Sequence, residues 1–283
     1  MSCECVSYLY PIKYFIKTFW NLNNRSKPIT LKSESAFMKK IVALVLFFAV
    51  ASVSKAQMVE GKVTYNRKVD WISIMENLPY MTKEEIDRNR LTWGSRDSKG
   101  RNYLLEFKND KSLYTYKEEE SEGGYSRSKE KYIIVRDYQA NQTNDWREFL
   151  GKKYRIQEEI PKHRWKILNE IREIDGYLCM KAETKDTIKD QVIHAWFADG
   201  IPFSGGPEGF GGLPGLILEL DINDGEVIIT ATDVSVDSWD GKLSIPKKMK
   251  GKEITYAELD EKTKSYIDDS IEGKKNPYWR IRY

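Results

Sequence analysis

The chain has 283 residues, of which 40% are hydrophobic and 31% charged, and its formal net charge at pH 7 is +3. Basic and acidic side chains are interspersed along the chain, which excludes the extended basic surface of a typical nucleic-acid-binding protein. We therefore expect no nucleic-acid partner.

The first recognisable signal lies at residues 38–56. Lys39 and Lys40 precede an eleven-residue apolar run at 41–51, and small residues lead up to a cleavage point after Ala56. This order is typical of a secretory signal peptide. The alternative, an uncleaved membrane anchor, requires about 20 apolar residues. We expect an exported protein with no transmembrane span after cleavage, in the periplasm or at the cell exterior. Outer-membrane association is left open.

Residues 1–37 precede this signal, which is unusual because a signal peptide normally stands at the N-terminus. We interpret them as a mis-annotated, overextended gene start, and a cytoplasmic or membrane-surface segment is the alternative. Residues 57–283 are then the mature protein, predicted to be a single domain. They contain 38 Lys/Arg and 41 Asp/Glu, for a formal charge of −3. Their one cysteine, Cys179, cannot form an internal disulfide.

Alternating polar and apolar residues dominate the mature chain, and this pattern predicts strands with one buried face. The predicted strands are 59–65, 103–108, 112–117, 131–136, 153–159, 165–174, 177–184, 191–198, 216–222 and 226–232. Three of the connections have sequences that favour tight hairpins, namely Asn109-Asp110, Asp175-Gly176 and Asn223-Asp224-Gly225.

Two segments have helical patterns. Thr82 and Glu85 match a capping box, which predicts a helix to about Arg90. Residues 255–271 carry apolar side chains at helical spacing. The charged segment 118–128 predicts a loop or hairpin tip.

Together these elements predict a mainly β (β-rich α+β) fold. We expect one antiparallel curved sheet or open barrel with two peripheral helices, and a two-sheet sandwich is the alternative. The alternating C-terminal residues 279–283 predict an edge strand that its arginines protect from aggregation.

The most unusual segment is rich in glycine and proline and lies at 199–215, between two predicted strands. Glycine reaches positive φ easily and proline restricts φ, so this composition predicts a rigid, folded-over loop. We expect a positive φ at Gly212 or Gly215, core-facing Leu213, Leu216 and Leu218, and burial of alternate residues along 216–220.

We interpret this segment in two ways. One is a ligand-binding loop, and the other is a tight structural crossover that closes one end of the sheet. The candidate binding residues are Trp196, Phe203, Gly205, Gly206, Pro207, Phe210, Gly212, Leu213, Pro214 and Gly215.

The string GLPGLI at 212–217 resembles the signature of the GLPGLI family, which is found mostly in Bacteroidetes. The segments 165–167, 174–177 and 195–197 are also similar to that family's motifs. The resemblance covers about residues 57–260. It implies a secreted or envelope protein, and it implies no known reaction.

Cys179 and His194 form an alternative site, either a thiol with a histidine base or a metal pair. Their spacing of fifteen residues matches no metal motif, and no third ligand is evident. A buried thiol that behaves as a small apolar group is the simpler interpretation. We therefore predict no catalytic residue, no metal and no cofactor.

These patterns favour a non-enzymatic binding or chaperone-like module. Its expected partners are a lipid or other apolar group, a peptide, or an envelope protein. A hydrolase or metal-binding protein that uses Cys179 and His194 is the first alternative. A structural surface protein is the second, and the oligomeric state is left open.

Overall fold

The computed structural model describes residues 59–94, 99–117, 132–243, 245–246 and 250–283, which belong to one compact unit, Met58–Tyr283. The predicted signal peptide, the segment before it and the predicted loop at 118–128 lie outside the described residues. Within the described ranges, none of the helices has the length and the apolar composition needed for a membrane crossing.

Twelve strands are formed by the described residues. They are β1 Gly61–Val69, β2 Arg101–Lys108, β3 Lys111–Tyr116, β4 Ile133–Asp137, β5 Gln142–Phe149, β6 Lys152–Glu159, β7 Lys166–Ile174, β8 Tyr177–Asp186, β9 Gln191–Ala198, β10 Leu216–Ile222, β11 Val227–Ser235 and β12 Lys252–Glu253.

All twelve strands belong to one sheet, in the order β12-β6-β5-β4-β3-β2-β1-β11-β10-β9-β8-β7. Neighbouring strands are antiparallel, apart from the short β12, which is parallel to β6. The two terminal strands, β7 and β12, do not pair with each other, so the sheet is open. The prediction of a β-rich curved sheet is confirmed, and the two separate sheets of a sandwich are not formed by the described residues.

The hairpin turns predicted from sequence hold their residues in left-handed conformations. Asn109 and Asp110 have φ values of 51° and 58°, and Asp175 has a φ of 49°. Asn and Asp tolerate this region better than most residues, and it matches the twist of the strands that a tight hairpin joins. The turn sequences therefore set which strands pair as neighbours.

The main core joins both halves of the sheet. It includes Val63 of β1, Leu105 of β2 and Ala195 of β9, all almost completely buried. The loop between β9 and β10 crosses the inner face of the sheet, because Phe203 in that loop stacks on Phe107 of β2 with ring centroids 4.2 Å apart. Strands lie about 4.8 Å apart, so this contact spans about four strand positions. A contact between residues so far apart in the sheet is explained if the sheet is curved and the loop packs across it.

Three α-helices lie within the described residues, α1 at Trp71–Glu76, α2 at Lys83–Trp93 and α3 at Tyr256–Glu272. Helix α2 begins with the predicted capping box of Thr82 and Glu85, and α3 has another formed by Thr255 and Glu258. Helix α1 was not predicted. Asp70 caps it by accepting hydrogen bonds from the N–H groups of Ile72 and Ser73.

Three sequence predictions need correction. Strand β5 was missed because its sequence, QTNDWREF, is mostly polar. The predicted C-terminal edge strand is wrong, since Pro277–Trp279 form a 3-10 turn and the phenolic oxygen of Tyr283 is instead hydrogen-bonded to Glu226. Residues 216–220 are all buried, without the predicted alternation. A bulge after Ile217 shifts the side-chain alternation there.

Candidate functional site

The Gly/Pro loop, residues 199–215, connects β9 to β10 and folds back on itself. The N–H of Leu216 donates to the carbonyl of Ile201 at 3.1 Å, and the N–H of Ile217 donates to that of Gly205 at 3.0 Å. The N–H of Gly212 donates to the carbonyl of Ser204 at 3.2 Å. These bonds satisfy backbone groups that would otherwise be unpaired in a buried loop.

Two glycines permit this path. Gly212 has a φ of 89°, as predicted for one of the two positions, and a side chain is strained in that region. Gly215 does not have a positive φ, but a Cβ there would lie 2.2 Å from the carbonyl oxygen of Ala198. Gly215 is therefore required by a close backbone approach.

Much of the loop is buried support for the fold. Six of the predicted binding residues are buried, namely Trp196 of β9 and, within the loop, Gly205, Gly206, Pro207, Leu213 and Gly215, and Pro214 is exposed. Leu213, Leu216 and Leu218 are buried as predicted. Phe203 packs between Phe107 and Tyr138, with a centroid distance of 5.3 Å to Tyr138. These residues hold the loop in place and leave its remaining part to form a site.

Trp196 lies apart from the rest of the predicted set. It pairs with Lys181 of β8 and Glu219 of β10. The guanidinium of Arg172 lies 4.1 Å from its ring centroid. Trp196 does not line the cavity beside the loop, because this position of β9 points to the opposite side of the strand from Phe197.

A cavity of about 380 Å³ opens beside the loop. It is lined by Arg136, Tyr138, Asn141, Ile160, Pro161, Lys162, His163, Ser204, Gly209, Phe210, Gly211 and Gly212. Of the residues proposed from sequence, Phe210 and Gly212 line it. The other side of the cavity comes from the end of β4 and from the segment between β6 and β7.

Aromatic rings form one wall of the cavity. The His163 ring lies 4.5 Å from that of Phe210, and Trp165 packs next to both, at 6.0 Å and 6.1 Å respectively. The indole N–H of Trp165 donates to the carbonyl of Gly211 at 2.9 Å. This bond attaches the loop to the segment before β7. The rings of His163 and Phe210, inclined by 32° to each other, line the cavity and offer an apolar surface to a ligand.

His163 is uncharged at neutral pH in this environment. Burial, together with the nearby Arg136, lowers the pKa of His163 to about 4. A neutral imidazole can donate one hydrogen bond and accept another. The histidine therefore adds an apolar ring and polar atoms to the wall without adding a charge.

A buried ionic cluster lies below the cavity. Arg136 is only 3% exposed, and its Nη1 lies 2.5 Å from Oδ1 of Asp145. Arg147 binds the other carboxylate oxygen at 2.7 Å, and the hydroxyl of Tyr256 donates to the same oxygen at 2.6 Å. Burial opposes the charged form of Asp145, but Arg147 and Arg136 outweigh it and lower its pKa. Asp145 is therefore ionised and shared by two guanidinium groups.

A second ionic cluster lies inside the loop itself. Glu208 adopts a φ of 57°, which is rare for a residue with a side chain. Its carboxylate accepts from Nε of Arg282 at 2.7 Å and from the hydroxyl of Tyr114 at 3.1 Å. Burial opposes ionisation of Glu208, but Arg282 dominates and lowers its pKa to about 2. This pair ties the loop to the C-terminal segment.

Cys179 and His194 are not brought together. In the β8–β9 register, His194 lies opposite Glu183, four residues along β8 from Cys179. At about 3.3 Å per residue that separation is about 13 Å. Burial raises the pKa of the Cys179 thiol to about 11, so the nucleophilic thiolate is disfavoured. The geometry supports neither a thiol–histidine pair nor a shared metal.

His194 has carboxylate neighbours instead. His194, Asp221 and Asp224 each place one potential ligand atom within 4.8 Å of the others. Nε2 of His194 lies 3.4 Å from Glu183, and the carboxylate of Asp221 already accepts from the N–H of Gly225 at 2.6 Å. These groups have the donor types that a divalent cation binds. Asp224 is exposed at the tip of a turn.

Sequence reasoning missed Arg136, Asp145 and His163 as neighbours of the loop. Arg136 ends an apolar run, and Asp145 lies in the polar strand that was not predicted. About seventy residues separate Arg136 from the loop, so no local spacing indicates their contact. The one available signal was a charged residue at the end of an otherwise buried strand, because such a residue is seldom buried without a partner.

The family described as "Protein of unknown function (Porph_ging)" matches residues 183–219, an interval that includes β9 and the Gly/Pro loop. No curated protein matches the sequence. Among solved structures, PNGF-II is similar with a TM-score of 0.48 and 16% identity, over 72% of this chain and 32% of that chain. This chain therefore spans about a third of the length of PNGF-II. An uncharacterized conserved protein from Thermus thermophilus is similar with a TM-score of 0.34 and 6% identity, over 73% of this chain and 96% of that one.

Proposed function

We propose that this chain is an exported, non-enzymatic binding module whose ligand occupies the cavity beside the Gly/Pro loop. The observation that carries the proposal is that cavity. At about 380 Å³ it lies within the usual size range of small-molecule sites. An aromatic wall and a few polar groups converge on it, which is the usual composition of such sites.

The proposed ligand is a small apolar or aromatic group, or a peptide segment that carries one. The His163 and Phe210 rings support an apolar moiety. Ser204 and Asn141 at the cavity support hydrogen bonds to a peptide-like group. A long acyl chain is less well supported, because the interior of the sheet is filled by large side chains such as Tyr65, Tyr103 and Phe107.

Export and family membership are part of the same proposal. The support for export is the charged, apolar and small-residue order of residues 38–56. The support for membership of the GLPGLI family is the string at 212–217 and its companion motifs upstream. A binding role in the envelope is compatible with both.

Addition of a partner strand to the sheet is less well supported than the cavity. Strand β7 is an edge strand with exposed Ile167 and Ile171. However, a bulge interrupts its pairing with β8 between these two residues, and charged side chains such as Lys166 and Glu170 flank them. Bulges and charges are the usual devices that protect an edge from pairing.

The test is a titration of the purified protein with N-acetyl-L-phenylalanine amide, an uncharged probe with one ring and two amides, followed by amide and indole NMR signals. We expect saturable shifts at Gly209, Gly211 and Gly212 and at the indole N–H of Trp165. Phe210→Ala should weaken binding about three- to tenfold, because it removes a ring from the wall.

The matched control is Phe149→Ala. Phe149 is also partly buried, but it packs against Tyr266 of α3 and does not line the cavity. Its loss should leave the affinity unchanged. Shifts confined to other surfaces, or equal effects of the two variants, would contradict the proposed site.

A further inference from the structure

We infer that the cavity recognises a carboxylate on its ligand, with Arg136 and Lys162 as the groups that receive it. This inference rests on the proposed function and specifies the chemical class of the ligand. The proposed ligand is a carboxylic acid with an adjacent apolar group, either a peptide C-terminus or a free acid.

The charges at the cavity have one sign. The charged residues that line it are Arg136 and Lys162, and none of the lining residues is a carboxylate. Arg136 is buried and Lys162 is exposed, so one cation lies deep and the other lies at the rim. An anion that enters between them gains attraction from both, and the deeper one is screened little by salt.

Arg136 shares its counter-ion. Its one ion-pair partner among the described residues is Asp145, which also binds Arg147, whereas Arg147 has Asp260 nearby as a further carboxylate. The other carboxylate of the loop region, that of Glu208, is held by Arg282. A buried cation without its own counter-ion is costly. A ligand carboxylate would reduce this cost, and that reduction is a source of affinity.

Arg136 also has an unused hydrogen-bond donor. Nη1 donates to Asp145, and Nη2 lies 3.4 Å from the hydroxyl of Tyr256. Nε is buried and has no acceptor among the described residues. A guanidinium N–H that lacks an acceptor is matched by a carboxylate oxygen, which forms a strong charge-assisted bond with it.

The neighbouring groups complete a site for an acid with an apolar part. The hydroxyl of Ser204 accepts from the N–H of Gly212 at 3.2 Å, so its own proton can be donated to a ligand. The rings of Phe210 and His163 lie beside these polar groups and offer an apolar surface. The cavity therefore combines a cationic end with an aromatic wall.

The experiment compares two probes of nearly equal size on the wild-type protein, by the NMR titration described above. N-acetyl-L-phenylalanine carries a carboxylate, and N-acetyl-L-phenylalanine amide is its neutral counterpart. We expect the acid to bind about tenfold more tightly than the amide. A third probe, 3-phenylpropanoate, lacks the acetamido group. It should bind as well as the first if the site accepts free acids, and more weakly if it selects peptide ends.

The outcomes separate this inference from the proposed function. If the amide binds in the cavity as tightly as the acid, the carboxylate inference is overturned and the binding site remains. If neither probe shifts the NMR signals of the cavity residues, the carboxylate inference and the proposed binding site are both overturned. This comparison needs no variant, so it stands even where a substitution prevents folding.

Two variants assign the receiving groups. Lys162→Met should weaken binding of the acid about two- to fivefold and leave the amide unaffected, because Lys162 is exposed and partly screened. Lys152→Met, at the opposite end of β6, is the matched control and should change neither affinity. Arg136→Lys keeps the charge but removes the planar fork, and it should abolish most of the preference for the acid. An unchanged preference in a folded Arg136→Lys variant would contradict the role of Arg136.

Discussion

Two arginine–carboxylate clusters support the region of the Gly/Pro loop, and they differ in the balance of their direct ion pairs. In the first, Asp145 is shared by Arg136 and Arg147, while the second pairs Glu208 with Arg282. The balanced pair lies within the loop and connects it to the C-terminal segment. The unbalanced cluster lies beneath the cavity and includes a guanidinium nitrogen with no acceptor among the described residues.

This difference indicates that the Glu208–Arg282 pair is structural and that the Asp145 cluster can bind a ligand. A pair with equal charges that satisfies its hydrogen bonds gains nothing further from an added anion. A cluster in which two guanidinium groups share one carboxylate does gain, because an added anion supplies a second counter-ion in a region of low dielectric. Charge balance, rather than burial alone, thus distinguishes the two roles.

The largest expected effect is the loss of the shared carboxylate. Asp145→Asn leaves the buried Arg136 without a counter-ion and removes one from the half-buried Arg147, so the free energy of unfolding should fall by about 3–5 kcal/mol. Urea unfolding at pH 7 measures it. Asp137→Asn is the control, because Asp137 pairs with the exposed Lys111 and should cost less than about 1 kcal/mol. If both substitutions lowered the free energy of unfolding equally, the buried ion pair would be no more important for stability than the exposed one.

The balanced pair should respond to acid. Because the pKa of Glu208 is lowered to about 2, its ionised form is stabilised in the folded state. The contribution is complete above the unfolded pKa of about 4.3 and is lost as the pH falls towards 2. Glu208→Gln should therefore cost about 3 kcal/mol at pH 7 and much less at pH 2.5. A cost that is independent of pH would mean that shape, and not charge, makes Glu208 important.

The cavity wall should also lose stability in acid, but at a higher pH than the Glu208–Arg282 pair does. The pKa of His163 is about 4 in the folded protein, below the unfolded value of about 6.5. The unfolded chain then binds a proton first, so stability is complete above pH 6.5 and falls as the pH drops towards 4. Urea unfolding of wild type and His163→Gln at pH 7 and pH 4.5 measures this effect. Between the two pH values, the free energy of unfolding of wild type should fall by about 2 kcal/mol more than that of the variant. Parallel pH profiles would contradict a buried, neutral histidine.

The smallest expected effect concerns Cys179, away from both clusters. Cys179→Ala should lower the free energy of unfolding by about 1 kcal/mol, the cost of a small truncation in the core. Probe binding at the cavity should be unchanged in the NMR titration. Loss of binding in a folded Cys179→Ala protein would instead restore the thiol as a functional group.

Much of the fold could be predicted from local sequence. Ten strands, three hairpin turns and one helix with its capping box were indicated by patterns that span only a few residues, and a second helix by apolar spacing along 255–271. Strand β5 was missed since the buried side of its sequence includes Thr143 and Asp145, which a hydrophobic pattern does not detect. The C-terminal edge strand was wrongly predicted because Tyr283 packs near Glu226, a contact that depends on the finished sheet.

The candidate site was predictable only in part. Phe210 and Gly212 of the predicted binding set line the cavity, while Trp196 does not. A strand directs successive side chains to opposite faces, so the face of Trp196 depends on the register of β9 with its neighbours. That register was not available from composition or spacing.

The sequence by itself determined the alternation of the strands, the residues of the turns and a positive φ at either Gly212 or Gly215, because these depend on the conformational preferences of single residues and their near neighbours. Only the tertiary structure decided that Arg136, His163 and the Gly/Pro loop meet around one cavity. Their contacts join segments about forty to seventy residues apart, and such contacts depend on sheet order, curvature and the packing of the loop across the inner face. The same packing placed two arginines around one aspartate, and no local pattern specifies that charge balance.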